Sequence, residues 1–268
     1  MNKKIVLAIL YFLFAVFSIW WAYLTINVSA ENELRGYFSD SYGILAGFGG
    51  IAGLWISRKW GGIRSVFGRA ITFLSIGLLF QFLGQFSYSL EYYLYGIKNS
   101  YPSFGEIFFL ASIPAYIVGI WEIGRTSGTG ISLKKFHNKI GAIVIPFLLV
   151  SISYYLFVHG SDISELPLLE KILFVSYPVG QTIFVSLAVV AYYLTIGVLG
   201  GKMQTKVIFI LFSLVFQYVA DIVFIYRTTL EIWYPADITE YVFAVSYFLM
   251  AIALIDFWHT PKLEKNVQ

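Results

Sequence analysis

The sequence predicts an all-α integral membrane protein with eight transmembrane helices, built as two four-helix repeats of the same topology. Three observations lead to this prediction. The 268 residues are 59% hydrophobic and only 12% charged, which is about half the charged fraction of a soluble domain. Apolar stretches close to the ~20 residues that a bilayer requires recur along the chain. Short motifs of the first half return in the second half.

Composition also excludes several kinds of protein. The chain contains no cysteine, which rules out disulfides, thiolate metal sites and a cysteine nucleophile. Its net charge of +3 is too small to indicate a nucleic-acid partner. The lipid bilayer is therefore the first partner that the sequence predicts.

Eight stretches qualify as membrane spans, numbered 1 to 8 in chain order. They lie near residues 4–28, 42–56, 70–95, 103–123, 140–159, 167–199, 206–228 and 238–258. Span 2 is short and rich in glycine, which suits close helix packing. Because the loops are short, we predict one polytopic domain over residues 1–268, with a short tail at 259–268.

The distribution of charge predicts the orientation. If the N-terminus is cytoplasmic, all but four of the 18 lysines and arginines fall on the cytoplasmic side. The four exceptions are Arg35, Lys98, Lys171 and Arg227. Since cytoplasmic loops carry the excess of basic residues, we expect a multi-pass protein of the cell membrane with both termini in the cytoplasm.

One alternative concerns span 1. The residues Val28-Ser29-Ala30 resemble a signal-peptidase site after a basic start and an apolar run. Cleavage there leaves seven spans and an external N-terminus. The apolar run over 5–26 is longer than the core of a usual signal peptide, so retention of span 1 is the first expectation.

The predicted repeat depends on four matches, each separated by about half the chain. They pair Ser41-Tyr42-Gly43 with Ser176-Tyr177-Pro178, Phe80-Gln81 with Phe216-Gln217, Gln85 with Asp221, and Tyr101-Pro102 with Tyr234-Pro235. The halves, about 1–130 and 131–260, then contain four spans each. Because four is an even number, the halves share one topology and are related by an axis along the membrane normal.

Polar side chains inside the spans are the first candidates for a ligand-binding site. They are Gln81 and Gln85 in span 3, Gln181 in span 6, and Gln217 and Asp221 in span 7. A carboxylate within a span is costly, so Asp221 is expected to face the bundle interior with a partner. Hydrogen-bonded contacts between helices explain the same residues without any ligand, and that alternative stays open.

Two further carboxylates, Glu106 and Glu240, begin the last span of each half. Each follows a serine or aspartate by three residues, Ser103 or Asp237, which is the spacing of a capping box. The pattern predicts capped helices at the outer interface. In the second interpretation, the same two glutamates line an outward-facing pocket.

No pattern of a metal, cofactor or catalytic site stands out. The three histidines, His137, His159 and His259, lack the spacing of zinc ligands. The glycines of Ser127-Gly128-Thr129-Gly130 lack the lysine of a phosphate-binding loop. We therefore predict no catalytic residue, no metal and no cofactor.

Several short motifs resemble the polytopic N-terminal membrane sensor modules of bacterial diguanylate cyclases and phosphodiesterases. The motifs are Tyr101-Pro102-Ser103-Phe104-Gly105-Glu106 followed by Tyr116 and Gly119, then Tyr177-Pro178-Val179-Gly180-Gln181, and Ala220-Asp221. Glu106 and Gln181 stand where the pattern has aspartate. No cyclase or phosphodiesterase domain follows Trp258, so the resemblance implies signalling through a separate protein.

These observations leave three functional hypotheses. The first is a receptor-like, sensory membrane protein that binds a small or lipophilic ligand from the outer side and acts through a partner chain. The second is a small transporter or channel, for which the repeat and Asp221 are the main support. The third is an intramembrane lipid-modifying enzyme that uses Asp221 with Glu106 or Glu240.

Overall fold

A computed structural model of the chain describes residues 2–96, 102–126, 136–157, 167–195, 201–230 and 232–258. These ranges contain helices and turns and no β-strand. The helices are α1 Lys3–Asn27, α2 Leu34–Ser41, α3 Ile44–Lys59, α4 Val66–Tyr95, α5 Gly105–Thr126, α6 Phe136–Phe157, α7 Leu168–Thr195, α8 Gly201–Thr229 and α9 Ile238–Asp256. A single 3₁₀ turn, Gly62–Arg64, joins α3 to α4.

Among the described residues, six helices are long and apolar enough to cross a membrane: α1, α4, α5, α7, α8 and α9. The chain is therefore an α-helical membrane protein. Helix α3 has 16 residues, fewer than the ~20 of a standard span. Helix α2 was not expected, because its polar sequence carries no span signal.

Local chemistry explains where the helices begin and end. The side chains of Asn2 and Ser65 accept hydrogen bonds from backbone N–H groups in the first turns of α1 and α4, which otherwise have no partner. Asp237 caps α9 in the same way. Helix α4 ends at Gly96, whose φ of 65° lies in the left-handed region that glycine adopts without strain.

Helix α3 lies against both α4 and α9, and α7 lies against α5. The glycines of α3 make its contact with α9 close: a Cβ added at Gly49 would lie 2.6 Å from the Cβ of Ala251. Helix α1 covers α9 from outside through one buried stripe, Val6, Leu10, Phe17 and Leu24. The remaining surface of α1 is largely exposed and apolar, as a lipid-facing helix requires.

Contacts at the two ends of the bundle establish the relative direction of α1 and α9. At the Lys3 end, Lys3 pairs with Asp256 at 2.9 Å, and the Trp60 indole donates to the Phe257 carbonyl at 2.7 Å. At the Asp237 end, Trp21 donates to the Asp237 carbonyl at 3.2 Å. Helices α1 and α9 are therefore antiparallel, and residues 3 and 256 lie at the same end.

Candidate functional site

Gln81 of α4 joins three helices in the interior of the bundle. It is 7% exposed, and its Nε2 donates to Ser112 Oγ of α5 at 2.8 Å. Its Oε1 accepts a hydrogen bond from the Tyr247 hydroxyl of α9 at 3.0 Å. Both ends of this amide are satisfied, which is the arrangement of an interhelical contact.

Gln217 and Asp221 of α8 lie one turn apart on the same helix face. Gln217 Oε1 accepts from Ser246 Oγ of α9 at 3.0 Å, and its Nε2 lies 3.4 Å from Asp221 Oδ2. Among the described residues, no other hydrogen-bond donor contacts Asp221. A single long hydrogen bond leaves most of the accepting capacity of this carboxylate unused.

The helix face that carries Asp221 packs against aromatic rings. Phe224, three residues beyond Asp221 on this face, meets the Phe243 ring of α9 with centroids 6.3 Å apart. The Phe243 ring stacks on that of Tyr247 at 6.2 Å, and the Tyr247 ring stacks on that of Tyr42 at 6.0 Å. A carboxylate on such a face is suited to a cation, because aromatic faces and a negative charge both attract one.

Gln85 and Glu240 meet at Ser39 of α2. Gln85 Nε2 donates to the Ser39 carbonyl at 2.6 Å and its Oε1 accepts from the Tyr42 hydroxyl at 3.1 Å. Ser39 Oγ donates to Glu240 at 2.6 Å, and the Ala236 N–H donates to the same carboxylate at 2.8 Å. Helix α2 thus links the two candidate residues, one from each half of the chain.

Glu106 is buried at the start of α5, with 7% of its surface exposed. Its two carboxylate oxygens accept hydrogen bonds from the hydroxyls of Tyr88 on α4 and Tyr177 on α7. The glutamate therefore holds two neighbouring helices together through charge-assisted hydrogen bonds.

The two predicted capping boxes form only in part. Ser103 Oγ accepts a backbone N–H at 3.0 Å, and Asp237 Oδ1 accepts two, at 2.8 and 3.4 Å. The side chains of Glu106 and Glu240 do not complete the boxes, since they accept hydrogen bonds from the tyrosines and the serine described above. Interior contacts therefore account for Glu106, whereas Glu240 also accepts the backbone N–H of Ala236, one residue before the cap of α9.

Gln181 of α7 is 4% exposed, and its Oε1 has no hydrogen-bond donor among the described residues. It lies on the same helix face as Tyr177 and Phe184. Tyr177 contacts Glu106, and the Phe184 ring meets the Tyr116 ring with centroids 5.9 Å apart. Gln181 therefore faces α5 between these two contacts.

Arg35 of α2 is a residue whose role the sequence did not reveal. It is 3% exposed, and its guanidinium donates to four backbone carbonyls, those of Leu24, Val28, Ser29 and Ala236, at 2.8–3.1 Å. It stabilises the carbonyls at the end of α1, where a cation is favoured. A lone arginine beside a span end was a weak signal, because such residues commonly face water.

The sequence also did not reveal the ion pair of Arg227 with Asp237, in which Nε and Oδ2 lie 2.6 Å apart. Arg227 was expected at the outer interface, and the structure adds that it lies against the cap of α9.

Among the described residues, no three histidine, aspartate or glutamate side chains come together as metal ligands do. The chemistry available in the interior is therefore that of hydrogen-bond acceptors, hydroxyls and one underused carboxylate.

Comparisons with protein-family models, with curated proteins and with solved structures give no significant match.

Proposed function

We propose that the chain is a receptor-like membrane protein that binds a small or lipophilic ligand in the bundle interior, from the outer side. The observation that carries the proposal is Asp221, a carboxylate on the α9-facing side of α8 with one hydrogen bond of 3.4 Å. An intramembrane acid with so few donors is a functional-site hypothesis by default. The resemblance to sensor modules supports signalling through a separate partner protein.

The groups that surround the proposed site indicate which ligands fit. The Asp221 carboxylate and the Gln181 carbonyl both accept hydrogen bonds, and both have unused capacity among the described residues. A ligand must therefore bring donors, and the carboxylate on its aromatic helix face favours a protonated amine over a neutral alcohol.

Butylammonium and butanol, two probes of similar size, test this function. We expect butylammonium to raise the melting temperature of the purified protein more than butanol does. In Asp221→Asn the fold should persist and the butylammonium shift should be lost, because asparagine keeps the shape of the side chain but not its charge. The measurement is thermal unfolding in detergent at a series of probe concentrations.

Asp40→Asn is the matched control for this experiment. Asp40 accepts hydrogen bonds from Ser89 and Tyr93 at 2.7 and 3.0 Å, contacts that include neither Asp221 nor Gln181, so its loss should leave the butylammonium shift intact. An equal shift in the wild type and in Asp221→Asn would contradict the proposal. So would stabilisation by butanol of the same size.

Two buried glutamines give a second prediction. Gln181→Leu is expected to raise stability by up to about 1 kcal/mol, because it removes a buried acceptor without a donor. It should also weaken the butylammonium shift. Gln81→Leu breaks two interhelical hydrogen bonds and is expected to cost about 1 kcal/mol. Destabilisation of both variants to the same degree, measured by thermal unfolding, would show that Gln181 is an ordinary packing residue.

We propose the two-fold repeat on the strength of contacts that recur half a chain apart. The hydrogen bond of Gln81 with Ser112 between α4 and α5 has a counterpart in Gln217 with Ser246 between α8 and α9. The ring contact of Tyr88 with Phe109, at 6.0 Å, corresponds to that of Phe224 with Phe243, at 6.3 Å. Helix α3 of the first half packs against α9 of the second half, and α7 of the second half packs against α5 of the first. A two-fold axis that relates the halves produces such a pair of equivalent contacts.

The same proposal includes eight spans with both termini in the cytoplasm. Each predicted span overlaps one helix, α1 or one of α3–α9, and a rigid bundle can accommodate short helices such as α3. The ion pair of Lys3 with Asp256 supports an even number of crossings, because it holds both residues at one end. Exposed Arg58 and Arg125 belong to the same basic end, as the positive-inside rule expects of a cytoplasmic face.

A transporter is the second candidate function. It is favoured by one observation, namely that the repeat places a neutral Gln85 in one half and an ionisable Asp221 in the other. A polar site at the interface of two repeats is typical of transporters. Proteoliposomes distinguish the two functions: a transporter accumulates labelled butylamine inside the vesicles, whereas a receptor binds it without uptake.

A further inference from the structure

A shallow apolar cleft lies between the C-terminal parts of α5 and α7. Its volume is about 100 Å³, and its walls include Ile120 and Gly124 of α5 and Leu187 and Ala191 of α7. The two helices run parallel, because Glu106 meets Tyr177 and, farther along both helices, the Tyr116 ring meets that of Phe184. Arg125 shares Glu122 with Arg69 at the start of α4. Because Trp60, shortly before α4, binds Phe257 next to Asp256, the cleft lies at the basic Lys3 end of the bundle.

The rim of the cleft carries a cation and an indole. The side chain of Arg125 is 53% exposed, and Trp121 is 61% exposed. Both residues line the cleft. An exposed tryptophan beside an arginine at a helix end is the composition of a membrane interface.

The charge around this rim is positive. Glu122 lies 3.2 Å from Arg125 and 3.1 Å from Arg69, so two guanidinium groups share one carboxylate. The free carbonyls at the ends of α5 and α7 repel an anion, so Arg125 is the group that would have to attract one.

We propose that this cleft binds an anionic phospholipid, with an acyl chain between α5 and α7 and the phosphate at Arg125. The apolar walls match hydrocarbon, the cation stands where a lipid phosphate lies, and basic clefts between helices on the cytoplasmic side are suited to acidic head groups. The site is separate from Asp221, and it does not depend on the ligand proposed there.

Native mass spectrometry of the purified chain tests the proposal with phosphatidylglycerol and phosphatidylcholine as probes. The wild type is expected to retain phosphatidylglycerol in preference to phosphatidylcholine. Arg125→Gln should reduce that preference about tenfold, as the loss of one charge-assisted contact does. Arg69 keeps its ion pair with Glu122 in this variant, so the fold should be unaffected.

Two further variants make the outcome decisive. Arg58→Gln removes an exposed cation from the last turn of α3 at the same end and should leave the preference unchanged. Ala191→Phe fills the cleft and should reduce retention of both lipids. An equal loss in Arg58→Gln and Arg125→Gln would mean that surface charge alone attracts the lipid, and it would overturn the site. An unchanged preference in Arg125→Gln would overturn it as well.

Discussion

Replacing Arg35 with methionine is expected to lower the free energy of unfolding by about 3 kcal/mol, since two carbonyls, those of Val28 and Ala236, lose their donor. The Leu24 and Ser29 carbonyls keep a backbone N–H donor each. The guanidinium satisfies four carbonyls, three at the end of α1 and one before α9. A buried acceptor that loses its donor costs about 1–3 kcal/mol. The variant should therefore melt at a markedly lower temperature in detergent.

Two comparisons identify the cause of this loss. Arg35→Lys keeps the charge, but an ammonium group has three donors and no planar fork, so its stability should fall between the wild type and Arg35→Met. Arg58→Met, at an exposed position, should change little. If Arg35→Met melted at the wild-type temperature, the four hydrogen bonds would not hold α1 and α9 together.

Replacing Gly49 with leucine is expected to cost about 3 kcal/mol, the upper part of the range for overpacked cores. A Cβ at this position would lie 2.6 Å from the Cβ and 3.2 Å from the Cα of Ala251. Since neither atom belongs to a flexible side chain, α3 and α9 must separate to admit it. The melting temperature should fall, and any ligand response that requires the two halves to pack should weaken.

Gly36→Leu is the matched control for this substitution. Gly36 lies in α2, and no heavy atom lies within 4 Å of the Cβ that a side chain would add there. The same change from glycine to leucine should therefore be tolerated, with a melting temperature close to that of the wild type. Equal stability of the two variants would contradict the close contact between α3 and α9.

Hydropathy predicted the helical membrane character of this fold, because span length and apolar composition are local properties of the sequence. The polar helix α2 was missed for the same reason: it carries no span signal, and it is held by contacts of Arg35 and Ser39 with distant parts of the chain. Its position follows from the arrangement of α1 and α9, which periodicity does not reveal.

The candidate residues illustrate the same limit at the level of side chains. Gln81 and Gln217 were selected from the sequence, but their partners Ser112 and Ser246 were not. A signal existed, since each serine follows Glu106 or Glu240 by six residues. Gln81 has two hydrogen-bond partners, whereas Gln181 Oε1 lacks a donor among the described residues. This difference depends on packing between helices, which no spacing rule predicts.

The proposed receptor function requires that small molecules reach Asp221 in the bundle interior from the outer side. Because the chain has no native cysteine, single-cysteine variants report one position each. In right-side-out vesicles, Asp221→Cys is expected to react with a membrane-impermeant, cationic thiol reagent added outside. Val219→Cys is the control. This position is 43% exposed on the face of α8 that is turned away from the bundle, where the apolar environment of the lipid keeps the thiol protonated and unreactive.

Labelling of Asp221→Cys from outside, with little labelling of Val219→Cys, is the result expected of an interior that is open to the outer side. Failure of both variants to react, or reaction of Asp221→Cys only when the reagent reaches the inner face, would contradict it.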